Sequence, residues 1–524
     1  FLKMELNDEE IADVREENTS FFQYNPKLIP LVVVVVGFAV FWVVLVSVSA
    51  ASMAPQQTLE TRVQTENIMT HLDEFQKIAL ANNNSRSIVN GYNDSAEYVI
   101  STLQQEAGDY YQIRKEYFSG VTSTILETPT LSQVFPGHDN RNAIVFEDMI
   151  DFRQPRYGGD GKFDLQGKRV ILVGGVGCEA SDYLEIQECV DSAEGGCVAL
   201  LPRSSDCTLY DSAVLAESAG ALAVLASGPL TNTRVRDTWW TPDSTLVTIP
   251  TFSVTNSVSS SLLSLTPSYV DLTANLEVGV HPTYNVIAQG KGGIEKDGAE
   301  KRSGSQSVFV GAHLDSVAAG PGLNDNGSGS ATILEIAIQV SKIGGDLNNP
   351  VRFAWWGAEE EGLIGSRHYV AQLSDSEKSR IAVYMNHDML ASPNYIINVK
   401  NATDAPLVTK PGQVVQGMYE DYYNTRKVPF MNGPLQGGSD FLSFLEGDVP
   451  AHGMSAGAGE IKTDEGRTLY GGLADAPLDP CYHRACDTID NINQQCLTDI
   501  SQATSNVLWS LLNKDNLASF LGRN

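Results

Sequence analysis

Seven acidic or imidazole side chains stand where apolar runs give way to turn-forming residues: His313, Asp315, Asp325, Glu359, Glu360, Asp388 and His483. Any one of them alone reads as a capping or packing residue. Together they form a mixed nitrogen and oxygen donor set of the kind that suits zinc, and a carboxylate with two oxygens can bridge two ions. Glu359 and Glu360 are adjacent and so point different ways, which lets one bind metal while the other takes protons from a metal-activated water.

These side chains need elements to position them. Residues 284–288, 308–311, 351–356 and 381–385 are short apolar runs bounded by turn residues, the pattern of buried strands. His313 and Asp315 close the second run, Glu359 and Glu360 follow the third, and Asp388 follows the fourth. The polar, glycine-rich stretch 291–306 predicts a hairpin loop between the first two strands. Between the second and third, Asp325 lies in a glycine-rich loop, and residues 330–343 carry Ile333, Leu334, Ala337, Ile338 and Val340 at helical spacing. Strands alternating with helices indicate an α/β sheet whose ligands sit in loops at strand ends. Upstream, Ile68, Leu72, Phe75 and residues 78–80 predict a helix within 59–89. A second helix over 95–105 and a strand over 111–118 follow. From about 142 to 275 the texture changes to a separate module: short β-rich runs (169–173, 198–201, 221–225, 246–252) alternate with turns rich in Gly, Ser and Cys.

Five segments then occur in order: Gly311-Ala-His-Leu-Asp-Ser316, Gly322-Leu-Asn-Asp-Asn-Gly-Ser-Gly329, Ala358-Glu-Glu-Glu-Gly-Leu-Ile-Gly-Ser366, Asn386-His-Asp388 and Cys481-Tyr-His-Arg-Ala-Cys-Asp487. They resemble the motif set of the co-catalytic di-zinc aminopeptidases, the family of vacuolar aminopeptidase Y and secreted bacterial leucine aminopeptidases, over roughly residues 60 to 515. The resemblance implies an α/β fold with a mixed, mostly parallel sheet sandwiched by helices, and two zinc ions per chain. Asp325 would bridge the ions, His313 and Asp388 would complete one site, and Glu360 with His483 the other. Glu359 would be the general base, Asp315 would hold the His313 ring, and Tyr482 would steady the oxyanion. Cys481 and Cys486 would close a small disulfide loop around Tyr482 and His483. The implied reaction is hydrolysis of the first peptide bond by a zinc-activated water. Glu359 would pass the proton to the leaving amine, and carboxylates near the metals would hold the free α-amine. Residues 453–460, small for the most part, would line a pocket for a large apolar first side chain. The module 142–275 resembles a protease-associated domain through residues 165–172, 215–226 and 248–252, inserted between the two parts of the peptidase domain, 59–141 and 276–515.

Two positions depart from the family pattern. Glu361 adds a third Glu to the motif, although the following Gly362-Leu-Ile-Gly-Ser366 keeps the register on Glu359. Gly437-Gly-Ser-Asp440 lacks the arginine of the family's Gly-Arg-Ser-Asp variant. His387 neighbours a ligand but faces the other way on a strand, so it reads as packing or as a support behind the ligands. His71, His138, His281, His368 and His452 read as structural. A membrane-anchored carboxypeptidase with a long C-terminal helical domain and a receptor on an inactive peptidase fold are the competing readings.

The chain's 524 residues hold 64 Asp plus Glu against 35 Lys plus Arg, a net charge of −29, which argues against a nucleic-acid partner. Residues 1–27 form an acidic tail. Residues 28–51 contain no charge and are long enough to span a bilayer, so they read as a signal-anchor, with cleavage as a secretory signal the alternative. The remainder is then lumenal (vacuolar or secretory) or extracellular. All seven cysteines follow the span, in two clusters (178–207 and 481–496), with an odd one left over. Asn83, Asn93 and Asn401 begin glycosylation sequons, and Asn93 doubles as a helix N-cap signal.

Overall fold

The apolar runs form strands buried on both faces, and the alternation along each run decides which side of the sheet it fills. The computed structural model describes residues 58–523 apart from 136–142, 149, 156, 192–194, 203–206, 228–246, 291–305 and 345–346. The acidic tail, the 28–51 apolar segment, His138 and most of the predicted hairpin loop lie outside the described residues. In chain order the strands are β1 (Tyr111–Val134), β2 (Ile144–Phe146), β3 (Phe152–Arg153), β4 (Gly161–Leu172), β5 (Val198–Leu201), β6 (Ala223–Ser227), β7 (Thr251–Val254), β8 (Ser268–Gly290), β9 (Ser307–His313), β10 (Val351–Trp356), β11 (Ile381–His387), β12 (Asn398–Asn401), β13 (Met431–Pro434) and β14 (Ala451–Ser455). They hydrogen-bond in the order β13-β12-β14-β11-β9-β10-β8-β4-β5-β6-β7-β3, with β1 along β8 and β2 beside β1. The sheet is mixed and mostly parallel around β9, which has parallel neighbours on both sides in β10 and β11.

The longer helices are α1 (Thr65–Ala81), α2 (Tyr92–Ala107), α3 (Gly329–Ile343), α4 (Lys410–Arg426) and α5 (Gln494–Leu512). Val308, Val310, Phe353 and Trp355 point to one face of the sheet and pack with Leu72, Val99, Ile333 and Leu508 of these helices. Their neighbours Phe309, Ala354 and Trp356 point to the other, against Tyr369 and Phe444. That period-2 alternation with apolar residues on both sides is what a sheet covered on both faces requires. Helix α3 is buried at every position from Gly329 to Val340, so even Glu335 and Gln339 are inside, sharing a hydrogen bond with each other.

The hairpin between residues 284–288 and 308–311 does not form. Strand β10 comes between them, antiparallel to β8 at Arg352↔Gln289 and parallel to β9 at Val351↔Val308. A polar connection marks a turn in the sequence, but which strands flank it is decided by long-range pairing. The Asn93 cap is likewise displaced: α2 begins at Tyr92 with Gly91 at its N-cap, so Asn93 sits inside the first turn.

Strand β1 continues well beyond residue 118, pairing with β8 from Tyr111↔Gly290 to Val134↔Tyr269. Its outer part, residues 119–134, is rich in Thr and Ser with apolar residues scattered among them, which is why no buried-strand pattern announces it. At its far end β8 pairs with β4, and residues there gather apolar cores of their own around Ile186 and Ala216 and around Phe252 and Leu272. The boundary at 275/276 therefore falls inside β8. Disulfides join Cys178 to Cys207, Cys189 to Cys197 and Cys481 to Cys486, and Cys496 is the free, buried thiol on α5. No helix among the described residues is long and apolar enough to cross a membrane.

Candidate metal centre and active site

Parallel pairing puts the ends of β9, β10 and β11 side by side. His313 is the last residue of β9 and lies in register with Trp356, the last of β10. Glu359 and Glu360 follow three and four residues later, and Asp388 directly follows β11. Ala358, Met389 and His483 all hold left-handed backbones, at φ 56°, 54° and 59°. For non-glycine residues that conformation costs energy, and here it sits where the chain turns acidic or imidazole groups inward.

Asp325 is set by its two neighbours. Asn326 Oδ1 accepts the N–H groups of Gly329 and Met389 while its Nδ2 donates to His387 O, and Asn324 Oδ1 accepts from Ala391. The loop before it is opened by Gly322 at φ 61°, where a Cβ would lie 2.2 Å from Asp325 O. Below the loop, the fully buried Arg86 donates to the carbonyls of Leu314, Pro321 and Gly322.

The result is a buried cluster in which Asp325 stands between two histidines. His313 Nε2 lies 3.3 Å from Asp325 Oδ1, and His483 Nε2 lies 3.1 Å from Asp325 Oδ2. Asp388 Oδ1 is 3.4 Å and Glu359 Oε2 3.8 Å from His313 Nε2, and Glu360 Oε2 is 3.2 Å from His483 Nε2. Two sets, His313/Glu359/Asp388 and Asp325/Glu360/His483, have the compactness of metal sites. Burial pulls the His313 imidazole down, but Glu359 and Asp388 outweigh it and lift it well above its ordinary 6.5. His483 rises to about 9 because Glu360 and Asp325 overcome the same burial. Burial drives Glu359 well above the usual carboxylate range. Asp325, although buried, is held low by its bonds to the two imidazoles. Four carboxylates around two imidazoles call for positive charge, and Asp388 Oδ1 is buried without a hydrogen-bond partner among the described residues. A nitrogen and oxygen donor set of this kind fits zinc.

The surrounding contacts assign places to the other predicted residues. Asp315 accepts the main-chain N–H of Glu359 on Oδ1 and that of Glu360 on Oδ2, both at 3.2 Å. Its main-chain oxygen, not its carboxylate, lies closest to His313 Nδ1, at 3.0 Å against 3.7 Å. Tyr482 stacks on the His483 ring at 3.8 Å and lines the cavity. Glu361 turns away from the cluster: its carboxylate meets Tyr157 Oη at 3.2 Å and Ser123 N at 3.5 Å. His387 is buried, and burial lowers it to about 4. His71 packs against Tyr98, and His368 against Phe118. Asn83 and Asn93 are exposed and Asn401 is half-buried.

Several contributors carry no signal of their own in the sequence. Ser439 donates to Asp388 Oδ2 at 2.6 Å and accepts from Asn386, a role visible only as membership of the Gly437–Asp440 segment. Asp479 accepts from Asn324 Nδ2, and Asp487, the last residue of the fifth motif, accepts from the backbone of Asn324 and Asp325.

Above the cluster opens a cavity of about 390 Å³ lined by Met389, Phe441, Gly453, Met454, Gly457 and Ala458 among others. Gly437 and Gly438 line it too, and a Cβ at either would meet open space.

Residues 285–508 match the model of peptidase family M28. The chain is 34% identical over 459 residues to an aminopeptidase of Pseudomonas aeruginosa, covering 84% of this chain and 80% of that protein. It is 30% identical over 409 residues to aminopeptidase Y of Saccharomyces cerevisiae, covering 77% and 69%. Among solved structures it resembles BSAP, a zinc aminopeptidase from Bacillus subtilis, with a TM-score of 0.59 at 21% identity over 86% of this chain and 96% of that one.

Proposed function

As a member of peptidase family M28 the chain is a metallo-aminopeptidase, and we propose that it removes the first residue of peptides using two zinc ions held around Asp325. The observation that carries this is the placement of the two Asp325 oxygens, each against a different imidazole Nε2. His313 and Asp388 would hold one ion beside Asp325, and Glu360 and His483 the other. Bound there, zinc supplies Lewis acidity toward the scissile carbonyl and toward water.

The chain's own groups do the rest. Glu359 is buried beside the ligands and hydrogen-bonded through its backbone to Asp315, so its carboxylate is oriented to take a proton from the attacking water and return it to the leaving amine. Tyr482 lines the cavity, where its hydroxyl would serve as donor to the developing oxyanion. The excess of carboxylate around the cluster favours a cationic α-amine. Gly453, Gly457 and Ala458 leave room for a large first side chain, and Met389 and Phe441 give it apolar walls.

The 28–51 segment would anchor the protein, or direct its secretion, with residues 59–515 on the lumenal or extracellular side. Three disulfides support that compartment. The β-rich part from 142 to 275 would be a protease-associated domain.

The test is release of the first residue from free and N-acetylated peptides by the zinc-loaded chain, with metal analysis. About two zinc ions per chain, activity lost to a chelator, and no release from the acetylated peptide are expected. Release from the C-terminus instead, or full activity without metal, overturns the reading.

A further inference from the structure

The cavity has apolar walls but a charged end. On β12, Val399 points into the apolar core, so Asn398 and Lys400 on either side of it point to the cavity, which both line. The Lys400 stem runs along Gly453, where an added Cβ would lie 3.4 Å from Lys400 Cγ, and the absence of a side chain there leaves the lysine its path. Among the described residues the Lys400 ammonium enters no hydrogen bond and no ion pair. Burial lowers its pKa, and only the more distant charges of Glu460 and Asp388 oppose that. Neither neighbour satisfies it. Asp388 stands among the proposed metal ligands, so a bound ion offsets its charge. Glu460 is solvent-exposed, and its Oε2 already accepts the Ala458 N–H at 2.6 Å. Beside Lys400, the buried Asn398 has an Oδ1 with no hydrogen-bond partner among the described residues, and its amide can present Nδ2 to a ligand instead.

An ammonium without a partner among the described residues, beside an amide, in the same cavity that the metal cluster lines, forms a receptor for a carboxylate. We propose that Lys400, with Asn398, selects peptides whose first residue carries a carboxylate side chain, glutamate above all. This rests on the aminopeptidase reading and sharpens its substrate class. An apolar first side chain of the same length would cover the ammonium without pairing it, and a part-buried cation that loses water without gaining a partner opposes binding. Discrimination of this kind exceeds what one methylene in an apolar pocket supplies, because the site's polar groups are left unpaired by the wrong substrate. A basic first side chain would meet the like charge of Lys400 in the same cavity. The apolar walls contributed by Met389 and Phe441 suit the methylene stem of glutamate, so the large apolar preference expected from the small residues of 453–460 becomes a preference for a long side chain with an anionic end.

The test is a set of aminoacyl nitroanilides (Glu, Gln, Met, Leu and Lys) turned over by the full-length, zinc-loaded protein and by Lys400→Met, Lys400→Arg and Glu460→Gln. Glu is expected to exceed the similarly sized Gln and Met by about tenfold or more in kcat/KM. That advantage is expected to vanish in Lys400→Met, carried mainly by KM, and to survive in part in Lys400→Arg. Zinc content and unfolding midpoint report whether Lys400→Met is folded, and Lys400→Gln serves in its place if it is not. Equal or faster turnover of Gln and Met, a Glu-to-Met ratio within twofold of wild type in Lys400→Met, or a Lys preference lost in Glu460→Gln each overturns the proposal. Release of no first residue of any class would sink the aminopeptidase reading itself, whereas Leu release without a Glu advantage would remove only this inference.

Discussion

The Asp487 carboxylate takes the main-chain N–H of Asp325 at 3.0 Å through Oδ2, and with Oδ1 that of Asn324 at 2.9 Å. A third donor, Asn491 Nδ2, reaches Oδ1 at 3.0 Å. The residue between the two histidines is thus held through its backbone by an acid 162 positions away.

Asp487→Asn preserves shape but replaces one of those oxygens with a donor facing a donor. Supporting contacts of this kind are generally worth 10–100-fold in metal affinity. Competition with a chromophoric chelator should show zinc affinity reduced by about that factor, with far-ultraviolet circular dichroism unchanged. Affinity within twofold of wild type would mean that the clamp does not hold Asp325.

Arg86 supports the same loop from below. Burial lowers its pKa to about 10, still far above neutral, so a charged guanidinium donates to three carbonyls in the interior with no salt bridge among the described residues. Arg86→Met leaves those carbonyls buried and unpaired, at about 1–3 kcal/mol for each one that finds no new partner. A fall of about 3 kcal/mol or more is expected from urea unfolding. Arg86→Lys should recover only part, since an ammonium cannot reproduce the planar fork.

These two residues mark the limit of what the sequence makes legible. The metal-type residues are legible as a set, because several imidazoles and carboxylates gathered at successive strand ends form a donor set that no single capping or packing residue would make. Arg86, Asp479 and Asp487 cannot be read that way, because they act on main-chain groups far off in sequence or on an asparagine. Lys400 looks like any lysine in a polar stretch until β12 turns it into the cavity. The strands and helices around β9 follow the apolar runs closely. The β1/β8 ribbon and the insertion of β10 between β8 and β9 depend on pairing between distant segments, which local pattern does not encode.

The two glutamates at either end of Glu359-Glu-Glu361 separate by direction. Glu359 lies 3.8 Å from His313 Nε2, whereas Glu361 bonds to Tyr157 and Ser123. Glu359→Gln keeps shape and removes the base, so kcat should fall by about 10²–10⁴-fold while bound zinc persists. Glu361→Gln should leave zinc content intact and kcat within a few-fold. Stopped-flow or steady-state turnover with metal analysis on both variants decides, and a collapse of turnover in Glu361→Gln with normal activity in Glu359→Gln would move the base by two positions.

The last prediction concerns stability against pH. His452 is buried on β14, its Nε2 2.8 Å from Lys400 O and its ring stacked near Tyr419. Nε2 donates there, so protonation would place a charge on a second nitrogen inside the core. Burial holds this imidazole at about 4, below its ordinary 6.5. The unfolded chain therefore takes up the proton as pH falls through 6.5, and the folded chain does not until about 4. Stability is full above about pH 7.5, declines between 6.5 and 4, and levels off below that. At 1.36 kcal/mol per pKa unit the loss from this one group is about 2 kcal/mol by pH 5. His452→Gln can still donate to the Lys400 carbonyl but does not titrate. Its urea midpoint should fall less than that of wild type between pH 7.5 and 5. Parallel losses in the two proteins would show that His452 is not the neutral, buried group described above.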